Sequence, residues 1–204
     1  MIALSAMAVV LTACNQAEQK EKTGKEHDKM EHNTPKSANV MMDAMDKSMM
    51  DMHHAKMTGN ADYDFASMMI PHHEGAVVMA EAVVADGISP ELIAFSKKVI
   101  EAQQKEIKML SDFLKTASDK STENATEFKN ALDASMVPMM KAMEKAELTN
   151  NVDKDIVALM IPHHQSAVDM AKAYLPYSNN DKIRAIAEQI LLSQQEEIIW
   201  LKAQ

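Results

Sequence analysis

Two short segments hold most of the chemistry this sequence offers. Met69-Ile70-Pro71-His72-His73 recurs as Met160-Ile161-Pro162-His163-His164, and a further methionine, Met79 or Met170, follows each pair. Thioether and imidazole together suit soft and borderline metals, copper above all, and sulfur donors favour Cu(I) over Cu(II). Zinc usually takes cysteine, histidine and carboxylate, and has little use for methionine. The candidate copper ligands are therefore Met69, His72, His73 and Met79 in one segment, and Met160, His163, His164 and Met170 in the other. Met45, Met49 and Met52, followed by His53-His54, add a thioether row at helical spacing.

Other readings compete with ligation. A methionine stripe is also ordinary core filler, because the side chain adapts to irregular gaps. Met136, Met139, Met140 and Met143 are read as core or partner surface on that ground. One buried histidine is usually a hydrogen-bonded core residue, whereas two pairs in register, each flanked by methionine, favour a site. Adjacent histidines on a helix point about 100° apart, so a pair cannot face one point directly. A proline inside a helix costs about 3 kcal/mol, and its return at the same place in both segments implies a required bend. Gly75 and Ala76, with Ser166 and Ala167 in the second segment, leave room for a ligand or a neighbouring helix. Gln103 and Gln194 fall on core stripes and are expected to partner the imidazoles or the carbonyls that the prolines free.

The segments sit inside a longer repeat. Sliding the chain by 91 residues aligns it with itself without gaps, and ten of the fourteen positions from 69 to 82 are identical. Downstream, Gln103, Gln104, Glu106, Ile107 and Leu110 match Gln194, Gln195, Glu197, Ile198 and Leu201; upstream, Met45, Met49, Met52 and Thr58 match Met136, Met140, Met143 and Thr149. The first repeat spans 38–115 and the second 129–204, with a linker at 116–128. Each unit reads as three helices: 40–57, 63–86 after a cap at Asp62 or Asp64, and 90–115 after Ser89 as cap. A Met-rich helix over 123–147 would supply a long crossover. Two such units packed about a pseudo-twofold axis predict an all-α antiparallel bundle of the second and third helices of each copy.

Composition narrows the rest. The chain has 204 residues, 20 Met and 8 His, with 4% aromatics and 4 Gly, which disfavours a β sandwich. A net charge of −9 argues against a nucleic-acid surface, and the single Cys14 against a disulfide scaffold. Residues 1–13 are almost wholly apolar and uncharged and read as a signal peptide. The small residues before Cys14 resemble a bacterial lipoprotein cleavage box, which would make Cys14 the acylated N-terminus, the alternative being a signal peptide with an incidental buried cysteine. By that resemblance, Asn15 in place of Asp after the cysteine favours the outer over the inner membrane, so the expected place is the periplasm or cell envelope, with a lipid anchor as the sole membrane contact. Residues 14–37 are polar and read as a flexible tether; His27 and His32 within it make either a metal-scavenging arm or a solvated tract. No Glu-x-x-His stands at either doubled motif and no Gly-rich phosphate loop is present, so catalysis is not expected.

The doubled Met-Ile-Pro-His-His-x-x-Ala-Val-x-Met-Ala, with the later Gln-Gln-x-Glu-Ile-x-x-Leu, resembles the domain-of-unknown-function family 305. The resemblance covers nearly all of the chain after the tether. It implies a ferritin-like helical bundle and, by analogy with some members, an envelope copper-binding protein linked to copper tolerance that sequesters, buffers or delivers the ion, with other copper-handling envelope proteins as partners. The alternative is a non-catalytic interaction protein whose Met-rich helices form a partner surface.

Overall fold

The computed structural model of the chain describes residues 39–204. The expected signal peptide with Cys14, and the expected tether with its His27–His32 tract, lie outside the described residues. Six helices follow: α1 (Val40–His54), α2 (Ala61–Asp86), α3 (Pro90–Leu114), α4 (Ala125–Met143), α5 (Val152–Tyr174) and α6 (Asp181–Leu201), with one 3-10 turn at Leu175–Tyr177. Among the described residues there is no strand, and the fold is an all-α helical bundle.

Asparagine starts four of the six helices with a side-chain cap. Asn39, Asn60, Asn151 and Asn180 each accept backbone N–H groups of the first turn, which satisfies donors a helix start would otherwise leave orphaned. Ser89 caps α3 with Pro90 in the first helical position, as the sequence predicts. At α2 the cap is Asn60 and not Asp62 or Asp64. Both carboxylates work at longer range. Asp64 Oδ1 accepts from the Thr58 N–H and hydroxyl at 2.7 and 2.8 Å, and Asp155 does the same for Thr149 at 2.8 and 2.9 Å. Just before α2 and α5, Gly59 (φ 82°) and Asn150 (φ 59°) take the left-handed conformation that these two residue types best tolerate. They stand 91 residues apart.

Asp62, in the first turn of α2, accepts the Asn179 and Asn180 N–H groups at 3.0 and 3.3 Å, fixing the start of α6. Asp153, at the same place in α5, accepts the Ile88 and Ser89 N–H groups at 3.0 Å each, fixing the start of α3. Each half thus holds a helix start of the other. Asp62 also accepts from the Tyr174 hydroxyl at 2.6 Å, so the beginning of α2 lies against the end of α5 and the two helices run antiparallel. Phe65 stacks on the Tyr174 ring at 4.3 Å in the same place.

α2 and α5 form the centre, α3 packs on α2 and α6 on α5, while α1 and α4 cover α2 and α5 from outside. α4 therefore packs as the counterpart of α1. Its first turn reaches into 116–128, the stretch read as a linker, and the helix is shorter than the 123–147 crossover expected. The close approach of α1 depends on Gly75: a Cβ there would stand 2.7 Å from Ser48 Cβ. Ser48 donates its hydroxyl to the Pro71 carbonyl at 2.9 Å. The room left at Gly75 is thus filled by a neighbouring helix.

Candidate metal centre

His72, His73, His163 and His164 lie at the centre of the bundle, each at most 1% exposed. α2 and α5 cross so that the His72 and His163 rings meet, 3.9 Å between centroids and inclined by 42°. Within each helix the neighbouring ring is 6.1 Å away, His73 beyond His72 and His164 beyond His163. The sequential pairs thus divide into an inner couple, one ring from each repeat, and two outer rings.

Each outer ring meets a carboxylate. His73 Nε2 is 2.8 Å from Glu106 Oε2 on α3, and His164 Nε2 is 2.9 Å from Glu197 Oε2 on α6. The result is one row across the bundle: Glu106, His73, His72, His163, His164, Glu197. The carboxylate oxygens lie close to these two ring nitrogens but off the line of an N–H donor, and none of the eight imidazole nitrogens in the row makes a well-aligned hydrogen bond. Both amide atoms of Gln103 and the Gln194 Oε1 are also buried and unpartnered. The glutamines therefore do not make the hydrogen bonds expected of them. A buried polar atom left without a partner costs about 1–3 kcal/mol, and native cores hold few of them.

Burial, and after it the charge a neighbouring imidazole would carry, holds His72 and His163 well below their ordinary range. Both rings are neutral at physiological pH, the form that ligates a metal. Among the described residues no three side chains drawn from His, Cys, Asp and Glu converge on one point. An ion in this row would need thioether, amide or water donors besides.

Thioethers are at hand in the same core. Met69, Met79, Met160 and Met170 are fully buried on α2 and α5. Met45 and Met52 of α1 are buried too, while Met49 is half-buried against the same cluster. His53 and His54 stand apart, exposed at the end of α1 with their rings edge to face at 5.5 Å. On α4, Met139 is core, Met136 and Met143 are partly buried, and Met140 is 46% exposed.

A groove of about 1100 Å³ between α3 and α6 leads from solvent to the row, its wall including Asp62, Glu106, Met109, Asp112, Asp181 and Ile186. At the pseudo-equivalent place, Trp200 and Phe95 stand where the groove has Met109 and Ile186, and they stack at 4.6 Å. Glu106 and Glu197 are the residues a search for Met and His ligands passes over. The signal was present in the sequence, as a carboxylate repeated on a core stripe.

Fold and site together define an all-helical bundle with a buried histidine and methionine centre shared between two repeats. The chain matches the family described as Domain of unknown function (DUF305) over residues 3–114 and 62–204, and it belongs to that family. No curated protein and no solved structure matches it.

Proposed function

We propose that the protein binds copper as cargo, as Cu(I), through the inner imidazoles His72 and His163 and the thioethers Met69, Met79, Met160 and Met170. The observation that carries this reading is the set of fully buried imidazoles without hydrogen bonds, on helices that also bury these four methionines. Neutral imidazole and thioether form a donor set that suits Cu(I) and gives a hard cation little. The role is sequestration, buffering or delivery, with no chemical step. The likeness to a ferritin-like bundle belongs to the same reading. So does a place in the cell envelope with a lipid anchor at Cys14, which rests on the sequence of residues 1–15.

X-ray absorption at the copper edge of the Cu(I)-loaded full chain tests the donor set. A mixed shell of sulfur and imidazole nitrogen is expected; a shell of nitrogen and oxygen alone contradicts it. A second reading, a partner surface built on Met-rich helices, is favoured by Met50, Val137 and Met140, each 42–51% exposed. It predicts partner binding that does not change on addition or removal of copper.

A further inference from the structure

The outer ends of the row have a chemistry unlike that of its middle. On α3, Gln103 lies one turn before Glu106, on the same face of the helix. Both are buried, and Gln103 has no hydrogen-bond partner at either amide atom. His73 lies opposite, its Nε2 2.8 Å from the carboxylate and outside hydrogen-bond alignment. α6 repeats the set: Gln194, 2% exposed with Oε1 unpartnered, then Glu197 at 2.9 Å from His164.

Two donors each about 2.0–2.2 Å from one ion, at a right angle, stand roughly 3 Å apart. The two imidazole–carboxylate separations fall at that value, while their misalignment suits a shared ion better than a shared proton. The donors are nitrogen and oxygen, which select a borderline divalent cation, and among first-row ions Cu(II) binds such sets most tightly. Glu106 lines the groove, and the Glu197 side chain is 24% exposed, so both ends are open to water for the remaining positions.

We propose that His73, Glu106 and Gln103, and likewise His164, Glu197 and Gln194, form two outer sites for a divalent cation, separate from the inner Cu(I) centre. Their donors are distinct from those of the Cu(I) reading, so either can fail alone.

The test is a Cu(II) titration of the full chain by calorimetry, with Cu(I) uptake measured in parallel. The double variant E106Q/E197Q is expected to lose two equivalents of Cu(II) and keep its Cu(I) uptake. An unchanged Cu(II) stoichiometry in that variant, or no Cu(II) uptake by the unaltered chain, overturns the proposal. Should the variant not fold, pulsed EPR of the unaltered chain with two equivalents of Cu(II) decides the matter. One imidazole per copper is expected. Two imidazoles per copper, as the His72–His163 or His53–His54 pair would give, overturns it.

Discussion

The His72 and His163 rings meet at 3.9 Å across the junction of α2 and α5, although 91 residues separate them in the chain. Each belongs to a different copy of the repeat, so the innermost pair exists only when both copies are packed together. Burial and the neighbouring imidazoles keep both rings unprotonated. This arrangement disfavours a proton and leaves lone pairs for a metal.

It also makes the metal-free protein acid-sensitive. In the unfolded chain both histidines titrate near 6.5, whereas in the fold they do so well below it. Below pH 6.5 the unfolded chain therefore takes up protons that the native state refuses. Stability present above that pH is lost as the pH falls, by about 1.4 kcal/mol per pH unit for each imidazole, until the native rings protonate. Urea unfolding of the metal-free protein at pH 7.5 and 5.5 measures this. A flat profile over that interval would contradict the buried, neutral state of the pair.

The methionines can be separated from their packing role. Leu for Met nearly conserves volume and costs less than about 1.5 kcal/mol at a core site. The variant M69L/M79L/M160L/M170L is expected to stay folded by circular dichroism and to lose most of its Cu(I) affinity. Retained affinity in a folded variant would return these thioethers to the role of core filler.

The exchanged carboxylates hold the two halves together unequally. Asp62 accepts three hydrogen bonds, including that of the buried Tyr174 hydroxyl, and Asp153 accepts two. Asp62→Ala is expected to destabilise by about 1–3 kcal/mol and by more than Asp153→Ala, read as a fall in Tm. An equal or reversed order would mean that the Tyr174 contact adds nothing.

Gly75→Ala tests the close approach of α1. The added Cβ would meet Ser48 Cβ at 2.7 Å, forcing the helix outward. A loss of about 1–3 kcal/mol is expected from such overpacking. Ser166→Ala, which adds no atoms at the matching position of α5, should fall well short of it in the same thermal melt.

Local signals were easy to read and distant ones were not. Ser89-Pro90 announces the start of α3 because cap and first turn lie within a few residues of each other. Asp62 looks like a cap for α2 by the same rule, yet its partners Asn179 and Asn180 lie 117 and 118 residues further on. The repeat identifies the four histidines together. Which ring of each pair is inner depends on how α2 and α5 cross, a property of packing that spacing along one helix does not contain. Glu106 is visible as a repeated polar residue on a core stripe, but its purpose appears only with His73 beside it.

The most direct measurement is an anaerobic Cu(I) titration of the full chain against a coloured chelator, beside the H72A/H163A variant. The unaltered protein is expected to take Cu(I) from the chelator, and the variant, still helical, to lose at least tenfold in affinity. No uptake by the unaltered protein, or undiminished uptake by a folded variant, would contradict a copper centre built on the inner histidines.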